Sequence, residues 1–501
     1  MAELLTALLE RNARKYPADP GVKWPEKGVT LTWAELNRRA GTLAGYLKQH
    51  GIKRGDKVAV FISNRPEFVV AFFGILKAGA VVVPVNVKLT PVEAAYILDN
   101  SESSALLYED ELRTQAEQAA AACPAVKTTC STAEFPGLYN RFDMNGHPAA
   151  VPGDVAEIIY TSGTTGRPKG VVLSHAAVYL TGSMMAYEGE IRFGDRVLQL
   201  MPLTHSAPLN LFLTGAVFAG ASRVLGSFSP AALVELAAQE KTTHFFGAPV
   251  AYLLASRLPN LDRYDLSAAK RWIYGGASMS REAVLQVSRH FPGGLMGVYG
   301  LTEAGPNGMA LYPAEHPEFA GSIGRRATVN AELRVVDEQG RDVPAGEPGE
   351  IIIRTAGGMT GYYRNGQATR ETLKDGWIYT GDMARKDEAG YLWIIDRKKD
   401  MIISGGVNVY PREVEDVLTA CPVVADAAVT GVPHPEWGET VVALVVPRDA
   451  ANPPSAEEIL AYCRQRLAGY KVPRLIRFAG VIPRNASGKV LKNEIREQFG
   501  R

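Results

Sequence analysis

The chain has 501 residues, 46% hydrophobic and 21% charged, the balance of a globular protein able to bury a large core and not of a disordered one. A formal charge of +1 argues against nucleic acid or an acidic membrane recognised through bulk electrostatics, and leaves small molecules as the expected partners. Four cysteines, Cys123, Cys130, Cys421 and Cys463, lack C-x-x-C spacing and are too few for a disulfide scaffold, which fits a reducing cytoplasm.

In chain order, residues 1–14 are amphipathic and interrupted by Glu3, Glu10 and Arg11, unlike a secretory signal. Residues 32–51 read as a helix. Thr32 and Glu35 have capping-box spacing, Leu36, Ala40, Leu43 and Leu47 share one face, and Gly51 can end it. A strand is expected over 57–62, a helix over 68–77 and a β-branched strand over 80–85, an alternation that argues for an α/β architecture. The apolar run 68–76 stops at Lys77, far short of a membrane span. Residues 115–122 read as a peripheral helix and 135–153 as a connecting loop.

The apolar run 155–159, a buried strand, leads into residues 160–170, Tyr-Thr-Ser-Gly-Thr-Thr-Gly-Arg-Pro-Lys-Gly. Glycines here let backbone N–H groups turn inward, hydroxyls add donors, and Lys169 supplies a point charge, so the loop can hold a polyanion. It is not a Walker A loop, because Lys169 precedes Gly170 instead of Ser or Thr. Further on come Met-Pro-Leu-Thr-His-Ser-Ala-Pro-Leu-Asn at 201–210, Tyr-Gly-Gly-Ala at 274–277 and Tyr-Gly-Leu-Thr-Glu at 299–303. Tyr-Thr-Gly-Asp at 379–382 and Pro-Arg-Asn-Ala-Ser-Gly-Lys at 483–489 complete the series. A Gly/Ser/Thr-rich loop, a lone histidine or a tail lysine is ordinary by itself; such motifs together in one order are not.

Together these stretches resemble the adenylate-forming superfamily, and within it the AMP-forming acyl-CoA synthetases of the fatty acyl and coumarate type. The resemblance implies an α/β fold with a large N-terminal domain of packed β-sheets flanked by helices and a small β-barrel, followed by a smaller mobile α+β C-terminal domain. Its expected bounds are 1–396, a hinge at 397–400, and 401–501. It implies two steps: a carboxylate attacks the α-phosphate of ATP to give acyl-adenylate and pyrophosphate, and the thiol of coenzyme A then displaces AMP.

The implied ATP site comprises Thr161, Ser162, Gly163, Thr164, Thr165, Gly166 and Lys169 in the phosphate loop. Gly275, Gly276 and Ala277 give close backbone approach, the Tyr299 ring offers a face to adenine with Gly300 beside it in the nucleotide site, Asp382 meets the ribose hydroxyls, and Arg397 meets the ribose or phosphate. Thr302 offers a hydroxyl to the α-phosphate, Glu303 an oxygen to Mg²⁺, and Lys489 is the catalytic lysine. His205 would sit at the mouth of the acyl pocket, Lys399 would be the hinge residue, and Gly405 and Gly406 would border the pantetheine channel. Pocket residues are expected from 207–211, 246–249, 275–279 and 298–307, mostly small or apolar, which favours a hydrophobic fatty or aromatic acid.

The sequence also departs from the family. Arg325 and Arg326 stand where proline is usual, Gly247-Ala248-Pro249 replaces Val-Pro-Pro, and Asn307 adds an amide. No aspartate near His205 awaits a substrate ammonium and no carrier domain follows Arg501, so a peptide-synthetase adenylation domain fits poorly. An acyl-AMP ligase serving a separate carrier protein is the alternative. Neither a nucleic-acid partner nor a transmembrane segment is expected, the Phe-Gly-Arg end is no peroxisomal address, and monomer and homodimer are both open.

Overall fold

The computed structural model describes residues 3–139, 150–161, 167–404, 407–484 and 490–499. The expected α/β alternation is present. The helix Trp33–Gln49 starts on Thr32, whose hydroxyl accepts from the Glu35 N–H while the Glu35 carboxylate accepts from the Thr32 N–H at 2.9 Å. Its Leu36, Leu43 and Leu47 are buried with Phe68, Phe72 and Leu76 of the helix Pro66–Lys77. That second helix is apolar between Glu67 and Lys77 and buried at every residue but Glu67; its Lys77, with a fully buried side chain, is neutralised by Glu10 at 2.6 Å.

By its internal contacts the chain divides into two compact units, 1–333 with 352–379, and 334–351 with 380–501. The first holds two large sheets. One runs, in spatial order, Gly361–Tyr362, Lys169–Ser174, Val155–Thr161, Val81–Pro84, Lys57–Phe61, Ser103–Tyr108, Thr128–Ser131. The other runs Gly308–Leu311, Leu295–Gly300, Arg271–Gly275, His244–Gly247, Arg196–Gln199, Ser222–Leu225, Pro20–Trp24, Val29–Thr32. Within the second sheet the strands at 196–199, 244–247, 271–275 and 295–300 pair in parallel. Their carboxyl ends therefore share one edge, where open α/β sheets bind ligands. The expected motifs at 201–210, 274–277 and 299–303 follow three of those ends.

The structure refines two expectations. The stretch after His205 opens as a π-helix, Ala207–Leu213, before continuing as the α-helix Thr214–Ala219. The run 155–159 is not wholly apolar, for Glu157 lies in it and is fully buried. Strands Ala331–Val336 and Pro348–Thr355 follow further along the chain.

In the second unit, Val407–Val409, Ile402–Ser404, Gly438–Pro447 and Val424–His434 form a sheet, with Leu475–Phe478 parallel to Gly438–Pro447. Its core gathers Val414, Leu418, Val429, Val441 and Ile459. The helix Ala456–Arg464 begins on Ser455, whose hydroxyl accepts from the Glu458 N–H. Lys399 lies in a single 3-10 turn, Lys398–Asp400. All four cysteines are free and buried. Among the described residues no helix is long and apolar enough to cross a membrane.

Candidate active site

The two strands that flank the glycine-rich loop pair antiparallel, with Thr161 opposite Lys169. Ser162, Gly163, Thr164, Thr165 and Gly166 lie outside the described residues, as do Gly405, Gly406 and Lys489. The short strand Gly361–Tyr362 pairs with the exit strand, Tyr362 opposite Val171. This register puts the Tyr362 ring 4.7 Å from the Lys169 ammonium. The Tyr362 hydroxyl donates to Glu303 Oε1 at 2.7 Å, so a buried tyrosine links the lysine of the phosphate loop to the carboxylate of the Thr-Glu motif.

A second link joins the same motif to the His205 segment. Ser206 Oγ and Thr302 Oγ1 share a hydrogen bond of 2.8 Å. Burial, reinforced by the positive charge of Lys88, holds the His205 imidazole below its usual range, so the neutral ring predominates at pH 7. Gly300 is required sterically, because a Cβ there would lie 2.2 Å from the Pro306 carbonyl. Gly275 is buried, whereas Gly276, at φ +79°, and Ala277 are exposed at the sheet edge. Such a turn leaves a flat face open to a ligand.

Beside Tyr299 lies a cavity of about 10 Å³ lined in part by Leu211, Val298, Tyr299 and Pro306, all residues expected in the acyl pocket. Asn307 does not line it. Its amide is fully buried and donates to Thr181 Oγ1 at 3.0 Å and the Ala304 carbonyl at 2.8 Å, which ties down the loop after Glu303. Beneath the π-helix, Asn210 Nδ2 donates to Glu157 Oε1 at 2.6 Å. Burial pushes the Glu157 carboxyl up to about 8, so it is a neutral acid at pH 7. This buried pair joins the strand entering the phosphate loop to the helix behind the pocket.

In the second unit Asp382 and Arg397 face each other across neighbouring strands and form an ion pair of 2.5 Å. Lys398 pairs with Glu350 at 3.0 Å. Among the described residues no three His, Cys, Asp or Glu side chains cluster as a metal cage. The Tyr362 hydroxyl fixes the orientation of the Glu303 carboxylate through one of its oxygens.

Tyr362 and Glu157 are the functional candidates that sequence reasoning missed. Tyr362 is 59 residues from Glu303, and only its strand pairing brings the two together. Glu157 had a visible signal, a carboxylate in an otherwise apolar strand.

A fold with phosphate-loop strands on one sheet and motif loops on the carboxyl edge of another defines a nucleotide-activating α/β enzyme. The chain belongs to the AMP-binding enzyme family: that family's model matches residues 9–363, and the family's C-terminal domain matches 413–489. It is similar to feruloyl-CoA synthase of an Amycolatopsis species, at 38% identity over 98% of each chain. It is also 35% identical to the long-chain-fatty-acid–CoA ligase FadD13 of Mycobacterium tuberculosis, over 98% of each. Among solved structures, o-succinylbenzoate CoA synthetase of Bacillus subtilis with its acyl-adenylate intermediate superposes with a TM-score of 0.87 at 29% identity, covering 98% of this chain and 97% of that one. The chain is accordingly an ATP-dependent acid–thiol ligase that forms an acyl-adenylate and then a coenzyme A thioester.

Proposed function

We propose that this ligase activates a hydrophobic carboxylic acid, fatty or aromatic, with Thr161, Lys169, Thr302 and Glu303 forming the frame on which ATP and Mg²⁺ are held. The observation that carries this reading is the linked set Lys169, Tyr362, Glu303, with Thr302 bound to Ser206 at the pocket mouth. Adenylation joins two anions, so the chain's task is to neutralise and orient them. Lys169 and the loop before it face the phosphates, Thr302 donates to the α-phosphate, and Glu303 holds the ion, whose chemistry is charge neutralisation. Alignment of carboxylate and phosphorus contributes on the order of 7–11 kcal/mol in well-oriented pairs. No protein nucleophile is needed.

Asp382 and Arg397 take the ribose hydroxyls, and Tyr299, Gly300 and the backbone at Gly275, Gly276 and Ala277 take the adenine. Lys489 supplies further positive charge to the first step. A change of torsion at Lys399, the hinge between 1–396 and 401–501, withdraws it before the thiol enters past Gly405 and Gly406. His205 neighbours the reacting carboxylate, and its neutral ring does not compete with Lys169 for the anion.

The test is AMP release from ATP and Mg²⁺ with fatty, aromatic and short-chain acids, each with and without coenzyme A. AMP release that requires both a hydrophobic acid and coenzyme A is expected. Pyrophosphate release with acyl-adenylate but no thioester would redirect the reading to a carrier-protein acceptor, and preference for short or charged acids would overturn the substrate class.

A further inference from the structure

The segment that carries His205 is pinned to the rest of the first unit on both sides of that residue. Asn64, in the loop after the strand Lys57–Phe61, gives its whole side-chain amide to it. Its Nδ2 donates to the Gln199 carbonyl at 3.1 Å and to the Met201 carbonyl at 2.8 Å, and its Oδ1 accepts from the Leu203 N–H at 2.9 Å. Gln199 in turn donates through Nε2 to the Pro208 carbonyl at 2.9 Å. Ser206 stands between these anchors, with its Oγ 2.8 Å from Thr302 Oγ1, and among the described residues neither hydroxyl has another hydrogen-bond partner. A hydroxyl has one proton to give and two lone pairs, so in such a pair one oxygen donates to the other and one proton stays free. Ser206 is buried and Thr302 half-buried. Donation from Thr302 would strand the Ser206 proton in the interior with its hydrogen bond unmade. Donation from Ser206 leaves the free proton on Thr302, which can turn it outward.

We infer that Ser206 is a positioning residue for the adenylation step: it donates to Thr302 and so holds the Thr302 hydroxyl as a donor for the α-phosphate of the nucleotide. This rests on the reading of Thr302 as the α-phosphate donor. Accepting from Ser206 also strengthens Thr302 in that task, because linked hydrogen bonds polarise one another. A group that positions another must itself be fixed, and the bonds from Asn64 and Gln199 fix the segment around Ser206. The same segment carries His205, so one hydrogen bond joins the residue at the pocket mouth to the phosphate donor.

The test measures binding of AMP and adenosine to the full chain, without acid or coenzyme A, the first by titration calorimetry and the second by competition against AMP. The two ligands differ only by the phosphate, so the ratio of the adenosine Kd to the AMP Kd reads the phosphate contact. A merely loosened site would weaken both and leave the ratio in place. Thr302→Val should lower the ratio about tenfold or more, as the loss of a hydrogen bond to a charged group. Ser206→Ala should lower it about fivefold in the natural chain and leave it within about twofold of unchanged in the Thr302→Val background, since residues that act through one another are not additive. Thermal melting of each variant is followed alongside; if Ser206→Ala does not fold, Ser206→Cys, which keeps the size but is a weak donor, takes its place. An equal loss with and without the Thr302 hydroxyl, or no loss from Ser206→Ala while Thr302→Val lowers the ratio, overturns the inference and leaves the reading of Thr302 intact. A ratio that Thr302→Val does not lower overturns both.

Discussion

Replacing Glu157 by glutamine tests whether a neutral acid lies under the active site. The residue is fully buried, its Oε1 accepts from Asn210, and its carboxyl is raised from an ordinary 4.5 to about 8. Below pH 4.5 folded and unfolded chains both hold the proton. Between 4.5 and 8 only the folded chain holds it, so stability falls as pH rises, and above 8 the loss is complete. The displacement corresponds to at most roughly 5 kcal/mol of stability present in acid and lost in base. Glutamine has nearly the same shape and no such proton, and it keeps an oxygen for Asn210. The two proteins should therefore unfold at similar urea concentrations at pH 5, with the variant more stable by roughly 2–5 kcal/mol at pH 8.5. Intrinsic fluorescence reports the transition through Trp33 and Trp272, both buried in the same unit. Every other titrating group is common to the two proteins and cancels in the difference. An offset equal at pH 5 and pH 8.5 would refute the neutral acid.

Tyr362→Phe removes the hydroxyl that holds Glu303 but keeps the ring beside Lys169; a hydrogen bond to a charged group contributes about 1.5–3 kcal/mol. The expected result is a loss of at least tenfold in kcat/KM for ATP at low Mg²⁺, partly restored as Mg²⁺ is raised, and an unchanged Mg²⁺ dependence in initial rates would count against it. Lys489→Ala should slow adenylation by about 10²-fold or more while thioester formation from supplied acyl-adenylate persists, and equal loss in separate half-reaction assays would contradict the assigned role. Thr32→Ala breaks the capping box of the 33–49 helix and should cost about 1 kcal/mol in urea unfolding with no change in KM for ATP.

Much of the first unit is legible because its signals are local. The Thr32–Glu35 box, the largely apolar 66–77 helix and the strands at 57–61 and 81–84 each follow from neighbours in sequence. What escapes such reading depends on distant partners. The π-helix at 207–213 has no distinctive spacing, and its identity lies in how Pro208 and Asn210 pack against Gln199 and Glu157. Tyr362 becomes a neighbour of Glu303 only through the two-residue strand it forms with 171–172. The motif residues could be named in advance, but their coupling through Ser206 and Tyr362 could not.

The parallel strands at 196–199, 244–247, 271–275 and 295–300 also bear on how such an enzyme can change. Their ladder bonds lie within the sheet, while the motif segments at 201–210 and 301–303 follow the strand ends. A substitution at Ala207 or Ala248, both outside the strands, leaves intact the pairing that keeps 271–275 beside 295–300. Residues such as Gly300, wedged against Pro306, have no comparable latitude. Laboratory evolution toward a new acid should accumulate its changes in the loops and spare the glycines.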